Sequence, residues 1–152
     1  MKRLTTSDWV GAWVFNMLGD DTWHPKGRAC IGEHDQEGVC WGVVYERYQL
    51  VSIHAHIAVR HPSFLTRRSL EIMFHYPFVE LGVERIIAEV NSGNLKAVKL
   101  LPRMGFTQEA VIKGVYSTGD MLVFSIDAAA CPWLRGQDNG QRKQRTESTI
   151  TG

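Results

Sequence analysis

Two histidines spaced by one residue, His54 and His56, lie in the stretch SIHAHIAVR over residues 52–60. There Ile53, Ala55, Ile57 and Val59 alternate with Ser52, His54, His56 and Ala58. A period of two places both imidazoles on one face of a strand and the aliphatic residues on the other, which is the core side. Imidazole exchanges a proton near neutrality, so the pair offers a general base; the competing reading is two structural histidines on a sheet face. Glu33 and Tyr116 are the reserve candidates for that role. The same His-x-His spacing can chelate a metal, and Cys30, His34 and Cys40 are nearby in sequence, but the spacing matches no compact zinc pattern and no metal is expected. Nothing in sequence sets a base beside Cys30, Cys40 or Cys131, so none is assigned as a nucleophile. Three cysteines without tight pairing fit free thiols in a reducing, cytoplasmic setting.

The elements that must position these groups follow from periodicity. A helix is expected over residues 7–18, capped by Ser7 or Asp8, with Trp9, Ala12, Trp13 and Met17 along its buried face. RACIGEHDQEGVCWGVVYERY reads as a β-hairpin turning at residues 35–38, with Gly38 in the turn. After the histidine strand, His61-Pro62-Ser63 is a break, and LTRRSLEIMFHYPFVELG carries helical spacing ended by Gly82. Pro77 removes the hydrogen bond owed to the Met73 carbonyl and predicts a kink. ERIIAEV is a strand, Asn94 caps a short helix over residues 94–101, and FTQEAVIKGVY and MLVFSIDA form a closing hairpin across residues 117–120. This order gives an α/β fold with a mixed sheet, helices on both faces and a parallel βαβ unit around residues 53–90.

Composition narrows the partners. The 152 residues carry 17 basic and 16 acidic side chains, so no whole-chain field draws nucleic acid or an anionic membrane. Four tryptophans, Trp9, Trp13, Trp23 and Trp41, read as core or pocket walls because no basic groove accompanies them. No apolar run approaches the roughly 20 residues that span a bilayer, and the Lys2-Arg3 start lacks a cleavage pattern. One domain is expected over residues 1–134, followed by a polar tail over 135–152 that cannot bury enough surface to order itself.

HIAVRHP, a helix, LGVERIIAEV, the Asn94-x-x-Ala97 step, Met104-Gly105-Phe106 and Cys131-Pro132-Trp133 follow one another in an order that resembles the GNAT superfamily of acyl-CoA-dependent N-acetyltransferases. The likeness is strongest to the small members common in phage and bacterial genomes and covers residues 7–134. It implies a mostly antiparallel mixed sheet whose central parallel strands splay, with the pantetheine arm of acetyl-CoA between them. It further implies that a backbone amide near Ile57, Ala58 or Val59 polarises the thioester carbonyl, and that Asn94 and Ala97 border the arm. The family's glycine-rich pyrophosphate loop is replaced by SFLTRRSLE. The resemblance therefore leaves the anion to the helix-start amides around Thr66, Arg67, Arg68 and Ser69 and to the two guanidinium groups. Leu101 stands where many members have a tyrosine that protonates the leaving thiolate. The implied reaction is acetyl transfer from acetyl-CoA to a primary amine, small molecule or peptide, by direct attack, with His56 or His54 as base. The alternative is a GNAT-fold acyl-CoA-binding or protein-interaction module without turnover. The acceptor pocket, from residues 9–25 and 116–121, is not legible, and a homodimer is compatible with the pattern.

Overall fold

The computed structural model describes residues 1–134; the tail expected over 135–152 lies outside them. Seven strands form one sheet: β1 (Arg3–Thr5), β2 (Ala29–Asp35), β3 (Gly38–Glu46), β4 (Ser52–Val59), β5 (Arg85–Asn91), β6 (Thr107–Tyr116) and β7 (Gly119–Asp127). Their spatial order is β1-β2-β3-β4-β5-β7-β6, and only β4 and β5 run parallel. Three helices, α1 (Asp8–Met17), α2 (Arg67–His75) and α3 (Leu95–Arg103), complete the fold. The short strand β1 is an addition to the expected elements, because three residues, two of them exposed, carry no alternation to read.

The β4–β5 pairing is brief. Ser52, Ile53 and His54 pair with Arg85, Ile86 and Ile87, and the ladder stops there. Beyond it β4 stays paired to β3 through Val59, and β5 stays paired to β7 through Asn91. Each strand of the parted pair thus keeps its outer antiparallel neighbour, so the sheet opens at its centre without unravelling.

The main core lies on the face of Ile53, Ala55 and Val59, where α2, α3 and the segment after β7 cover Trp41, Tyr45, Ile86, Phe124 and Ile126. Helix α1 covers the other face over β2, β3 and β4 and buries Val10, Val14 and Phe15. This corrects the expected face: Trp9 is 48% and Met17 44% exposed. The reason lies in the sheet beneath. Gly32 and Gly42 are register partners, and a Cβ on Gly42 would lie 2.8 Å from both Val10 Cγ1 and Val14 Cγ2. Such a floor takes small β-branched side chains at its centre, and of the residues on the expected face Trp13 packs partly buried at its side, with its ring 3.7 Å from a Cβ on Gly42. Trp23 returns from the following loop to fill the space above Gly11.

The Pro77 region also takes a definite form. Helix α2 runs into a π-helical turn over Tyr76–Glu80, so the kink becomes a slip of the hydrogen-bond ladder by one residue. The Met73 carbonyl, deprived of its donor by the proline nitrogen, instead accepts from the Tyr45 hydroxyl of β3. Tyr45 is buried, and burial pushes its phenol well above the ordinary value, so the hydroxyl is retained as a donor.

Candidate active site

Strand register decides which groups share the α1 face of the sheet. Val44 lies opposite His56 and Glu46 opposite His54 across β3–β4, and His54 lies opposite Ile87 across β4–β5. His54, His56, Glu46 and, two residues beyond Ile87, Glu89 therefore project to the same side. His56 Nε2 is 3.0 Å from Glu46 Oε2, and Arg28 Nε donates to that same oxygen at 2.9 Å. His54 Nδ1 is 3.2 Å from Glu89 Oε1, and Arg47 bridges the two acids at 3.4 Å from Glu46 and 3.6 Å from Glu89. Both imidazoles are thus oriented by a carboxylate. In the tautomer that donates from Nε2 to Glu46, His56 presents Nδ1 as the proton acceptor.

Burial pushes the His56 imidazole below its ordinary value, against the opposing pull of Glu46. Phe15 contributes to that burial, its ring centroid 5.0 Å from the imidazole. The histidine is consequently neutral at pH 7, the form a base requires. Around it the loop after α1 is pinned by Arg28, which donates to the Thr22 carbonyl at 2.9 Å and stacks over Phe15 at 4.5 Å. Burial works to raise the Asp20 carboxyl of that loop, but the Thr22 hydroxyl and amide hold it below its ordinary value. Burial also raises the Tyr116 phenol, with Glu89 and then Asp20 adding to the effect. Tyr116 therefore faces the same acids and keeps its proton.

The opening between β4 and β5 begins one residue past His54, so His56 stands at its head. A cavity of about 50 Å³ in this opening is lined by Ile57, Ala58, Val59, Asn94, Ala97, Lys96 and Leu100, with Met17 and Leu18 from the end of α1. The five residues singled out for the acyl arm, Ile57, Ala58, Val59, Asn94 and Ala97, meet here. Ile57 is half-buried while its neighbours on the core face are buried, because it borders the opening. Asn94 accepts from the Ala97 amide at 3.2 Å and so caps α3 at the wall of the opening.

The start of α2 stands apart from that lining. Thr66 caps it by accepting from the Ser69 amide, and the Ser69 hydroxyl is consumed inside the fold by the Phe64 and Thr66 carbonyls at 3.0 and 2.9 Å. Arg67 pairs with Glu71 one turn on at 3.0 Å. Arg68 reaches Glu33, a 3%-exposed carboxylate also held by Trp41 Nε1 at 2.8 Å. Glu33 thus anchors α2 to the sheet and lies on the core face, opposite to the histidines. Leu101 is buried in the main core. Among the described residues no three His, Cys, Asp or Glu side chains gather as a metal site, and no helix is long and apolar enough to cross a membrane. A larger groove, about 670 Å³, lies between β2 and α2. It is two strands from the opening and has no parted strands, and its own imidazole–carboxylate pair, His75 with Glu80, is long at 3.8 Å and exposed.

No protein-family model and no curated protein matches the sequence. The solved structures do: the spermidine N-acetyltransferase from Vibrio cholerae in complex with CoA and spermine superposes with a TM-score of 0.66 at 14% identity, covering 88% of this chain and 98% of that one. The chain has the GNAT fold. A chimera of the Vibrio cholerae enzyme SpeG with hSSAT gives a TM-score of 0.67 at 16% identity over 88% of this chain and 99% of that one, and SpeG in complex with manganese ions gives 0.60 at 16% over 84% and 91%. The GNAT fold accounts for the parted central strands and for the cleft on the α1 side. Sequence reasoning missed the acids: Glu46 and Glu89 lie on strands where only register reveals that they meet the histidines. Their signal was present as a polar residue breaking an apolar strand.

Proposed function

We propose that this chain transfers acetyl from acetyl-CoA to a primary amine by direct attack within a ternary complex. The observation that carries the reading is the coincidence of the β4–β5 opening with a carboxylate-oriented, neutral imidazole at its head. Along residues 55–59 the alternate backbone groups that turn away from β3, among them the Val59 carbonyl, lie past the end of the β5 ladder, and these would hold the pantetheine amides as a strand would. An amide near Ile57, Ala58 or Val59 would stabilise charge on the thioester oxygen in a cleft walled by Asn94, Ala97 and Leu100.

His56 takes a proton from the attacking ammonium or amine, Glu46 steadies the imidazolium, and His54 with Glu89 is the second base of the same face. As the amine nitrogen bonds to the carbonyl carbon, the carbon–sulfur bond breaks and the departing thiolate takes a proton. Tyr116, held protonated, is the donor on this face, a role Leu101 cannot fill. Glu46, Glu89 and Asp20 suit a cationic acceptor, and because a neighbouring structure holds spermine, polyamines head the panel of amines to try. Isothermal titration with acetyl-CoA, beside desulfo-CoA and ADP, tests the reading, followed by thiol release over that panel. Saturable one-site binding with amine-dependent thiol release is expected. No binding at millimolar acetyl-CoA would sink the reading and leave a scaffold that binds another protein.

A further inference from the structure

The first turn of α3 sends Lys96 into the opening, where its Nζ donates to the Val59 carbonyl at 3.0 Å. Val59 is the last residue of β4, and its carbonyl is on the stretch that β5 has left. Lys96 makes no ion pair among the described residues, whereas Arg67 and Arg68 at the start of α2 are both committed to glutamates. It also does not stand alone. Helix α3, LKAVKLLPR, contains no acidic residue, and Lys99 and Arg103 follow Lys96 by three and seven positions along one side.

Direction matters here. The reacting carbonyl belongs at the head of the opening beside His56, so an extended acyl carrier must leave toward Val59 and the starts of α2 and α3. Its anionic end then arrives at the ends of the parallel strands, where Lys96 stands. We infer that Lys96 is the specificity residue for the phosphorylated end of the acyl carrier, replacing with a side-chain cation what a glycine-rich loop would supply through its amides. On binding, Lys96 exchanges the Val59 carbonyl for a phosphate oxygen and frees that carbonyl for an amide of the arm. The inference rests on the acetyl-CoA reading above and adds to it the discrimination between phosphorylated and unphosphorylated thioesters.

The test titrates the full chain, Lys96→Met and Lys96→Arg with acetyl-CoA and with S-acetylpantetheine, which carries the same thioester arm without phosphate. Methionine keeps the length and apolar stem of an exposed side chain, so folding is preserved. Lys96→Met should weaken acetyl-CoA about tenfold, the loss of one charge-assisted contact, and leave S-acetylpantetheine unchanged or slightly tighter. Lys96→Arg should recover most of the loss, and added salt should weaken the wild type more than the methionine variant. Equal losses for both ligands, or none for either, would overturn the assignment while the wild type still binds. If the wild type takes up neither thioester, the acetyl-CoA reading itself falls and this inference falls with it.

Discussion

Replacing Tyr45 by phenylalanine removes one oxygen atom from the interior and leaves the Met73 carbonyl without a partner. In a regular helix the amide at position 77 would bond that carbonyl, and Pro77 has none to give. The carbonyl lies on the buried side of α2 beneath β3, where Tyr45 is 2% exposed, so water does not substitute freely. An orphaned buried carbonyl costs about 1–3 kcal/mol. Taking the middle of that range, and a slope of roughly 2–4 °C per kcal/mol for a chain of this size, the melting temperature should fall by about 4–8 °C. The decisive measurement is a double-mutant cycle read by thermal and urea unfolding. Pro77→Ala restores an amide four residues beyond Met73, so Tyr45→Phe should be less harmful in that background by about 1 kcal/mol. A Tyr45→Phe variant as stable as the parent would refute the argument that the hydroxyl repairs the proline gap. So would an equal loss with and without Pro77.

The remaining expectations concern the cleft and its supports. His56→Gln should slow acetyl transfer by roughly 10²–10⁴ at neutral pH with acetyl-CoA affinity unchanged by calorimetry; an unaltered pH–rate profile would remove it as the base. In the parent the base must be unprotonated, and burial holds its proton affinity below the ordinary histidine value of 6.5. The rate should therefore be level through pH 7 and fall only on the acid side of 6.5, and Glu46→Gln should move that fall to still lower pH by removing the attraction for the imidazolium. Gly42→Ala should destabilise by about 1–3 kcal/mol in denaturant titrations, because the new methyl meets Val10 and Val14. Asn94→Ala should cost about 1 kcal/mol of stability through loss of the cap, and should also weaken acetyl-CoA in calorimetry if the cap side chain borders the arm.

Periodicity carried most of the fold. The alternation in SIHAHIAVR separates a core face from a polar face whatever its neighbours are, and the turn at Gly38 and the cap at Asn94 are local chemistry. The buried face of α1 was legible only at Trp13, since the choice of Val10 and Val14 over Trp9 and Met17 depends on two glycines that the sheet brings together from different strands. The pairing at the α2 start was hidden for a related reason. Arg67 and Arg68 look like free cations at a helix N-terminus, and only packing shows that Glu71 and the buried Glu33 claim them. Within the site, residues 57–59 were legible as strand and Asn94 as cap, while Glu46, Glu89 and Lys96 were not, because each acts across a gap between elements.

That gap explains why the site sits where it does. A central strand ordinarily exhausts its backbone donors and acceptors on two neighbours, and β4 does so only through His54. Past that residue its inner edge is polar and unpaired by strand, a condition that costs free energy unless some other group answers it. Lys96 answers it at Val59, and a ligand with amides along an extended arm would answer it over the whole stretch. The same parting sets His56 beside an open edge instead of a closed ladder, and although Phe15 of α1 packs against it, the imidazole stays 27% exposed on the polar side. On the proposed function, binding and proton transfer would both follow from one structural fact, the early end of the β4–β5 ladder. A substitution that extended that ladder would be expected to abolish both together, whereas changes at His56 or Lys96 should separate them.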